Sequence, residues 1–408
     1  MMNSKNILFL FISSFGSINQ HEIYPDLVRK FILEGFNVYI VCSNERRKRQ
    51  KTEFVTDGRA KILRVKIGNI QKCSLIEKGV STLLIKHQYR YAITKYLSGI
   101  RFDAIVYATP PITLVDTIRY YKKRDSAFTY LMLKDIFPQN AIDLSLLRKS
   151  GIKGMIYHYF RYKEKELYKV SDYIGCMSEA NRNYIIKNNP YLRSDSVEIC
   201  PNCFEVRNIS VTEIEKKTIR EEYGIPVNRI VFIYGGNLGK PQGISFFLEC
   251  LKTQKNNRNV FFLIVGSGTE FKTIDDSVKR EQYENVKMHS FIPTSDFERL
   301  ISACDVGLIF LDHRFTIPNF PSRLLSYMQS NLPIIACTDT VTDIRNVIEE
   351  NEIGWWCESN DSKCFSQIVQ SITPEKLKSK GRRSFEVLKN QYDVSIAYNA
   401  IVRHFEKE

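Results

Sequence analysis

Short apolar runs rich in Val, Ile, Phe and Tyr alternate with longer amphipathic stretches along nearly the whole chain. This is the pattern of βα units: a parallel strand covered on both faces reads as a continuous apolar run, while its crossover helix keeps one wet face. In the first half the pattern predicts strands at Ile7–Ile12, Val38–Cys42, Ile105–Tyr107, Phe128–Leu133 and Tyr173–Cys176. Helices are predicted near Glu22–Glu34, Leu75–Leu97, Thr113–Lys123, Gly154–Lys169 and Glu179–Lys187, the first stopping at Gly35 as a helix end does. A second series runs through strands Ile230–Tyr234, Val260–Val265, Val286–Met288, Val306–Phe310 and Pro333–Ala336. Its helices are Ile244–Leu251, Phe271–Arg280, Ser295–Ala303, Ser322–Met328 and Asp343–Glu350. Trp355-Trp356 reads as a buried strand end, and Pro374–Glu408 is helical in pattern.

Between the series, Pro201–Glu215 has no clear period. The expected organisation is therefore an N-terminal domain over 1–200, a linker over 201–215, a second domain over 216–385 and a helical segment over 386–408. The expected fold is α/β, with two Rossmann-like, doubly wound parallel sheets facing each other across a cleft at the carboxyl ends of their strands.

The 408 residues, 43% hydrophobic and 25% charged, exclude a disulfide mini-scaffold, a disordered chain and a polytopic membrane protein. Ten cysteines are scattered singly apart from Cys200 and Cys203, which fits reduced thiols in the cytoplasm and makes a zinc site improbable. The apolar stretch after Lys5 imitates a signal peptide, but it is short and lacks a small-residue cleavage site, so it reads as a buried strand.

Charge alters this picture. Residues 1–200 hold 33 basic and 18 acidic side chains, whereas the remainder holds 26 and 27, so the whole net charge of +14 resides in the first half. That half is expected to face something anionic, a phospholipid surface or a nucleic acid. Basic runs lie at Glu45–Lys51, Tyr120–Arg124 and Phe160–Lys169, the last two with interleaved aromatics; their bland reading is a solvated face. No recognised RNA- or DNA-binding module accompanies them, which favours the membrane.

Candidate chemistry gathers at strand-to-helix turns of the second series. Strand Ile230–Tyr234 leads into Gly235-Gly236-Asn237-Leu238-Gly239-Lys240-Pro241-Gln242-Gly243 and a helix. Glycines permit close backbone approach to a ligand, and a helix start offers free N–H groups to a diphosphate, although a plain tight turn fits as well. Strand Val260–Val265 ends in Gly266-Ser267-Gly268, and Pro321-Ser322-Arg323 opens a helix with a guanidinium suited to a pyrophosphate. The alternative for Arg323 is solvation or pairing with a surface carboxylate.

The segments "YGGNLGKPQGI", "IVGSGTE", "SACDVGLIFL" and "NFPSRLLSYMQSNLPIIA", in this order, resemble the donor-binding domain of GT-B glycosyltransferases, specifically the retaining glycosyltransferase family 4. "LKDIFPQNAIDL" resembles the D-x-x-P segment of the branch that builds capsular polysaccharide and O-antigen. The resemblance implies a retaining transferase that moves a sugar from a nucleotide-diphosphate donor, UDP by preference, to a lipid-linked saccharide at the inner face of the membrane. It implies that Gly235, Gly236, Asn237, Lys240, Gly266, Gly268, Ser322 and Arg323 serve the donor, with the backbone around Phe291 and Ile292 at the nucleobase. Asp135 would act beside the reacting sugar, its alternative being a cap after a strand. His21 would border the acceptor, or be an ordinary helix-start residue. No cofactor and no metal are implied. One departure stands out: two glutamates usual in the family fall on Pro318 and Ser326. That keeps a catalytically silent binding protein among the alternatives, together with a nucleotide-sugar 2-epimerase of the same architecture.

Overall fold

In the computed structural model, which describes residues 5–71 and 73–405, the apolar runs become the strands of two sheets in two compact units. The first unit takes the chain up to Glu205 and again from Val394; the second runs from Val206 to Asp393.

The first unit is built from β1 Asn6–Leu10, α1 Ile23–Leu33, β2 Asn37–Glu45, β3 Glu53–Asp57, β4 Ala60–Ile67, α2 Leu75–Tyr96, β5 Ala104–Ala108 and α3 Val115–Asp125. It continues with β6 Phe128–Leu133, α4 Gln139–Asp143, α5 Gly151–Val170, β7 Tyr173–Cys176, α6 Glu179–Asn188 and β8 Val197–Ile199. The sheet order is β3-β4-β2-β1-β5-β6-β7-β8. Every pair is parallel except β3 with β4, so the all-parallel expectation needs correcting at this edge. The cause is local. Gly58, at φ 56°, sits in a two-residue loop between paired Asp57 and Ala60, a connection that only an antiparallel hairpin can use. β3 escapes the hydrophobic pattern because as an edge strand it alternates half-buried and exposed positions.

The second unit runs α7 Glu213–Glu222, β9 Ile230–Asn237, α8 Ile244–Thr253, β10 Val260–Ser267, α9 Phe271–Arg280, β11 Val286–His289, α10 Thr294–Ser302 and β12 Val306–Phe310. Then follow α11 Arg323–Gln329, β13 Ile334–Thr338, α12 Ile344–Glu350, β14 Gly354–Glu358, α13 Ser362–Gln370 and α14 Pro374–Gln391. Its sheet is wholly parallel in the order β11-β10-β9-β12-β13-β14. The order reverses between β9 and β12, the point where open α/β sheets take their ligands. Trp355 and Trp356 lie inside β14, half-buried rather than buried, and Trp356 Nε1 donates to Thr338 Oγ1 at 2.9 Å.

The segment set apart at 386–408 is not one body. α14 ends in the second unit, while α15, Val394–Val402, packs on α1 of the first. Aromatic rings hold it there: Phe31 meets Tyr398 edge-on at 4.9 Å and Phe36 meets Phe405 at 6.0 Å. Each buried ring is worth about 1.5–3 kcal/mol. Glu198 adds a polar tie, accepting from Arg403 and His404.

Candidate functional site

The glycine-rich turn lies at the carboxyl end of β9, at the switch point of the second sheet. Gly236 is exposed, with φ 119°, a conformation that side chains avoid. A Cβ there would stand 3.6 Å from Arg323 Nη2, so the missing side chain keeps open the space before the guanidinium. Gln242 shapes the turn by accepting from Gly239 N at 2.9 Å and from Asn237 Nδ2 at 3.3 Å.

Arg323 opens α11 and lies over the ring of Tyr234, 4.5 Å from its centroid. One turn later, Tyr327 Oη accepts from Gly235 N at 3.0 Å and donates to Leu308 O at 3.1 Å, fixing α11 against β9 and β12. Gly307 in β12 makes room for that ring, since a Cβ there would be 2.3 Å from it. Arg323 Nη1 is buried and has no hydrogen-bond partner. A buried guanidinium nitrogen without an acceptor is costly. The other terminal nitrogen, Nη2, is the one that faces Gly236 and could meet an anion there. Neither tyrosine was a sequence candidate; the i, i+4 spacing of Arg323 and Tyr327 was the available signal.

The remaining donor candidates take different positions. A Cβ on Gly266 would come 1.9 Å from Gly236 O, and one on Gly268 would come 2.1 Å from Leu238 O. Their glycine character therefore lets β10 and its turn pack against the loop. Lys240 and Ser322 are exposed near the turn and at the start of α11. Phe291 is 77% exposed after β11, and Ile292 is half-buried.

In the first unit, Asp135 follows β6. Its carboxylate accepts from Asn140 Nδ2 at 2.8 and 2.9 Å, and its backbone N–H, like that of Lys134, points to Thr109 Oγ1. Burial raises its pKa from 3.8 to about 6, only partly offset by the Asn140 hydrogen bonds. The carboxyl is thus held above the ordinary carboxylate range. Beside it, burial lowers the pKa of Lys134, whose Nζ lies 3.5 Å from Cys200 O.

His21 sits in the loop after β1, buried against Phe204. Its Nδ1 lies 2.8 Å from Asp26 Oδ2, off the line of a hydrogen bond, and Nε2 has no partner. Among the described residues, His21, Asp26 and Glu205 bring possible metal-ligating atoms within 4.8 Å of one another. Arg29 occupies that position with its own charge, pairing with Asp26 and with Glu205 at 2.7 Å.

The basic runs are only partly a free surface. Arg46–Arg49 are exposed, but Arg46 pairs with Glu77 at 2.8 Å and Arg47 with Glu45 at 3.3 Å. In the other two runs, Tyr121 and Tyr168 point into the core. Their interleaving with lysines is the ordinary period of a half-buried helix.

Residues 215–384 match the family model described as "Glycosyl transferases group 1". A Pseudomonas aeruginosa protein named "Probable glycosyltransferase WbjE" is 24% identical over 329 residues, spanning 80% of this chain and 79% of WbjE. WcaI of Escherichia coli (strain K12), whose name assigns it to colanic acid biosynthesis as a glycosyl transferase, is 21% identical over 68% of this chain and 64% of its own. Among solved structures, Anabaena HepE in complex with UDP and glucose superposes with a TM-score of 0.69 at 14% identity, over 99% of this chain and 100% of HepE.

Proposed function

We propose that this chain, a glycosyltransferase of the GT-B type, moves a sugar with retention from a UDP-sugar to a lipid-linked saccharide during surface-polysaccharide assembly, at the cytoplasmic face of the membrane. The observation that carries the donor half is Arg323: half-buried, stacked on Tyr234, with Nη2 facing the open side of Gly236 and Nη1 enclosed without a partner. Such a preorganised cation stabilises the charge that collects on a departing β-phosphate. UDP is favoured because HepE, with the same fold, holds UDP and glucose. The retaining family 4 reading rests on the motif order, and the polysaccharide role on the colanic acid biosynthesis in the name of WcaI. The acceptor belongs to the first unit, where Asp135, ionised above about pH 6, orients an acceptor hydroxyl and His21, in the loop after β1, borders the acceptor. No helix among the described residues is long and apolar enough to cross a membrane.

The test is incubation with a panel of UDP-sugars and a lipid-linked saccharide extract, reading UDP release and the anomeric form of the product. Acceptor-dependent UDP release with a retained anomer is expected. Equal release without acceptor, or recovery of a C2-epimerised sugar nucleotide, overturns the reading.

A further inference from the structure

We infer that the first unit docks on an anionic phospholipid bilayer through two exposed apolar stripes, on α2 and at the start of α5, with the basic run at Arg46–Arg49 in a minor role. The inference rests on the lipid-linked acceptor proposed above and assigns the surface that reaches it.

α2 is apolar on two opposite faces. Ile85, Tyr89, Ala92 and Ile93 are buried against the sheet, as a crossover helix requires. On the other face Ile76, Val80, Leu83, Leu84 and Tyr91 recur at helical spacing and are all exposed, Ile76 by 82%. α5 repeats the arrangement: Leu167 and Tyr168 are buried, whereas Ile152, Met155, Ile156, Tyr159 and Tyr162 are exposed. Both helices are pinned to α3, which puts them in one layer. Asp116 of α3 accepts from Lys86 of α2 at 2.7 Å and from Lys163 of α5 at 3.0 Å, and Thr117 Oγ1 donates to Lys86 O at 2.9 Å. Soluble monomers rarely leave two adjacent apolar stripes uncovered. Among the described residues of the second unit, the exposed large apolar side chains Ile214, Val227, Phe291 and Val341 lie on separate segments and form no stripe.

Charge selects the occupant. Arg148, Lys149 and Lys153 are exposed around the start of α5, and the Arg90 guanidinium stacks at 3.9 Å over exposed Tyr120 between the helices. The carboxylates of this surface are already paired: Glu77 with Arg46, Glu166 with Arg119, and Asp116 with the two lysines. Aliphatic and tyrosine side chains flanked by unopposed cations fit the headgroup and upper acyl zone of an anionic leaflet.

The experiment is sedimentation of the full chain with vesicles of phosphatidylcholine alone or mixed with phosphatidylglycerol, alongside calorimetric UDP binding and analytical ultracentrifugation. Three proteins are compared with the parent: Ile76→Ser/Val80→Ser/Leu84→Ser, Ile152→Ser/Met155→Ser/Ile156→Ser, and the control Leu33→Ser, which changes an exposed leucine of α1. The parent is expected to sediment with the mixed vesicles. Each triple variant should lose at least tenfold in partitioning while keeping its UDP affinity, and the control should match the parent. Parent and triple variants sedimenting alike overturns the stripes but leaves the lipid-linked reading standing. A parent that ignores both vesicles overturns the inference, and acceptor-dependent UDP release then decides the function separately. A dimer that the triple variants dissociate overturns it in favour of a second copy.

Discussion

The crests of the two sheets carry chemistry in different ways. In the second unit the site is mostly backbone: a glycine turn at the switch point, kept open at Gly236, with one guanidinium behind it. In the first unit the corresponding turns carry side chains, the Asp135–Asn140 pair after β6 and, after β1, the buried His21 and Asp26 with half-buried Arg29 and Glu205. On the proposed reading, the diphosphate shared by UDP-sugars meets the backbone turn, while the acceptor meets side chains of the first unit.

The largest expected effect lies on the backbone side of this comparison. Arg323→Ala should lower turnover at least 100-fold with the fold intact, since removing one preorganised contact to developing charge costs about 2.7–4 kcal/mol. Near-parental turnover would return Arg323 to a structural role over Tyr234. Gly236→Val should weaken UDP by an order of magnitude or more, because the branched side chain fills the space before the guanidinium and meets an unfavourable φ of 119°. Unchanged calorimetric affinity would reduce the loop to a turn.

On the side-chain half, Asp135→Asn should bind UDP normally and transfer sugar at least ten times more slowly, and parental turnover should fall below about pH 6 as the carboxyl protonates. Stability should move the opposite way. Between about pH 4 and pH 6 the folded protein keeps a proton that the unfolded chain has released, so the Asp135 carboxyl subtracts stability as pH rises through that window. The melting temperature of Asp135→Asn relative to the parent should therefore climb from pH 4 to pH 7. Full activity with no such trend would leave Asp135 a cap. The smallest effect is expected for neutralising Arg46, Arg47, Lys48 and Arg49. Two of the four are already ion-paired, so vesicle binding should weaken only slightly and UDP affinity should stay within about twofold, as calorimetry would show.

The same contrast explains what the sequence disclosed. Strands such as Phe128–Leu133 and Val306–Phe310 were legible to the residue because burial on both faces leaves one continuous apolar signal. β3 was not, since an edge strand alternates weakly, and the return of α15 to the first unit depends on aromatic contacts with Phe31 and Phe36 that no local window contains. Gly236 and Arg323 could be named from motif order. Their supports, Tyr234, Tyr327 and Gly307, look like ordinary core residues, and Asn140 and Glu205 gain meaning only through the partners that folding gives them. The outward stripe on α2 was hidden for a related reason: a helix apolar on both faces has almost no amphipathic contrast.

The central claim is that Arg323 and the Gly236 turn form a diphosphate site. Calorimetric titration of the parent and Arg323→Ala with UDP and with uridine tests it directly, because the two ligands differ only in the diphosphate. The parent should bind UDP far more tightly than uridine, and Arg323→Ala should lose most of that preference while binding uridine as before. A parent that binds both alike, or a variant that keeps the full preference for UDP, would contradict it.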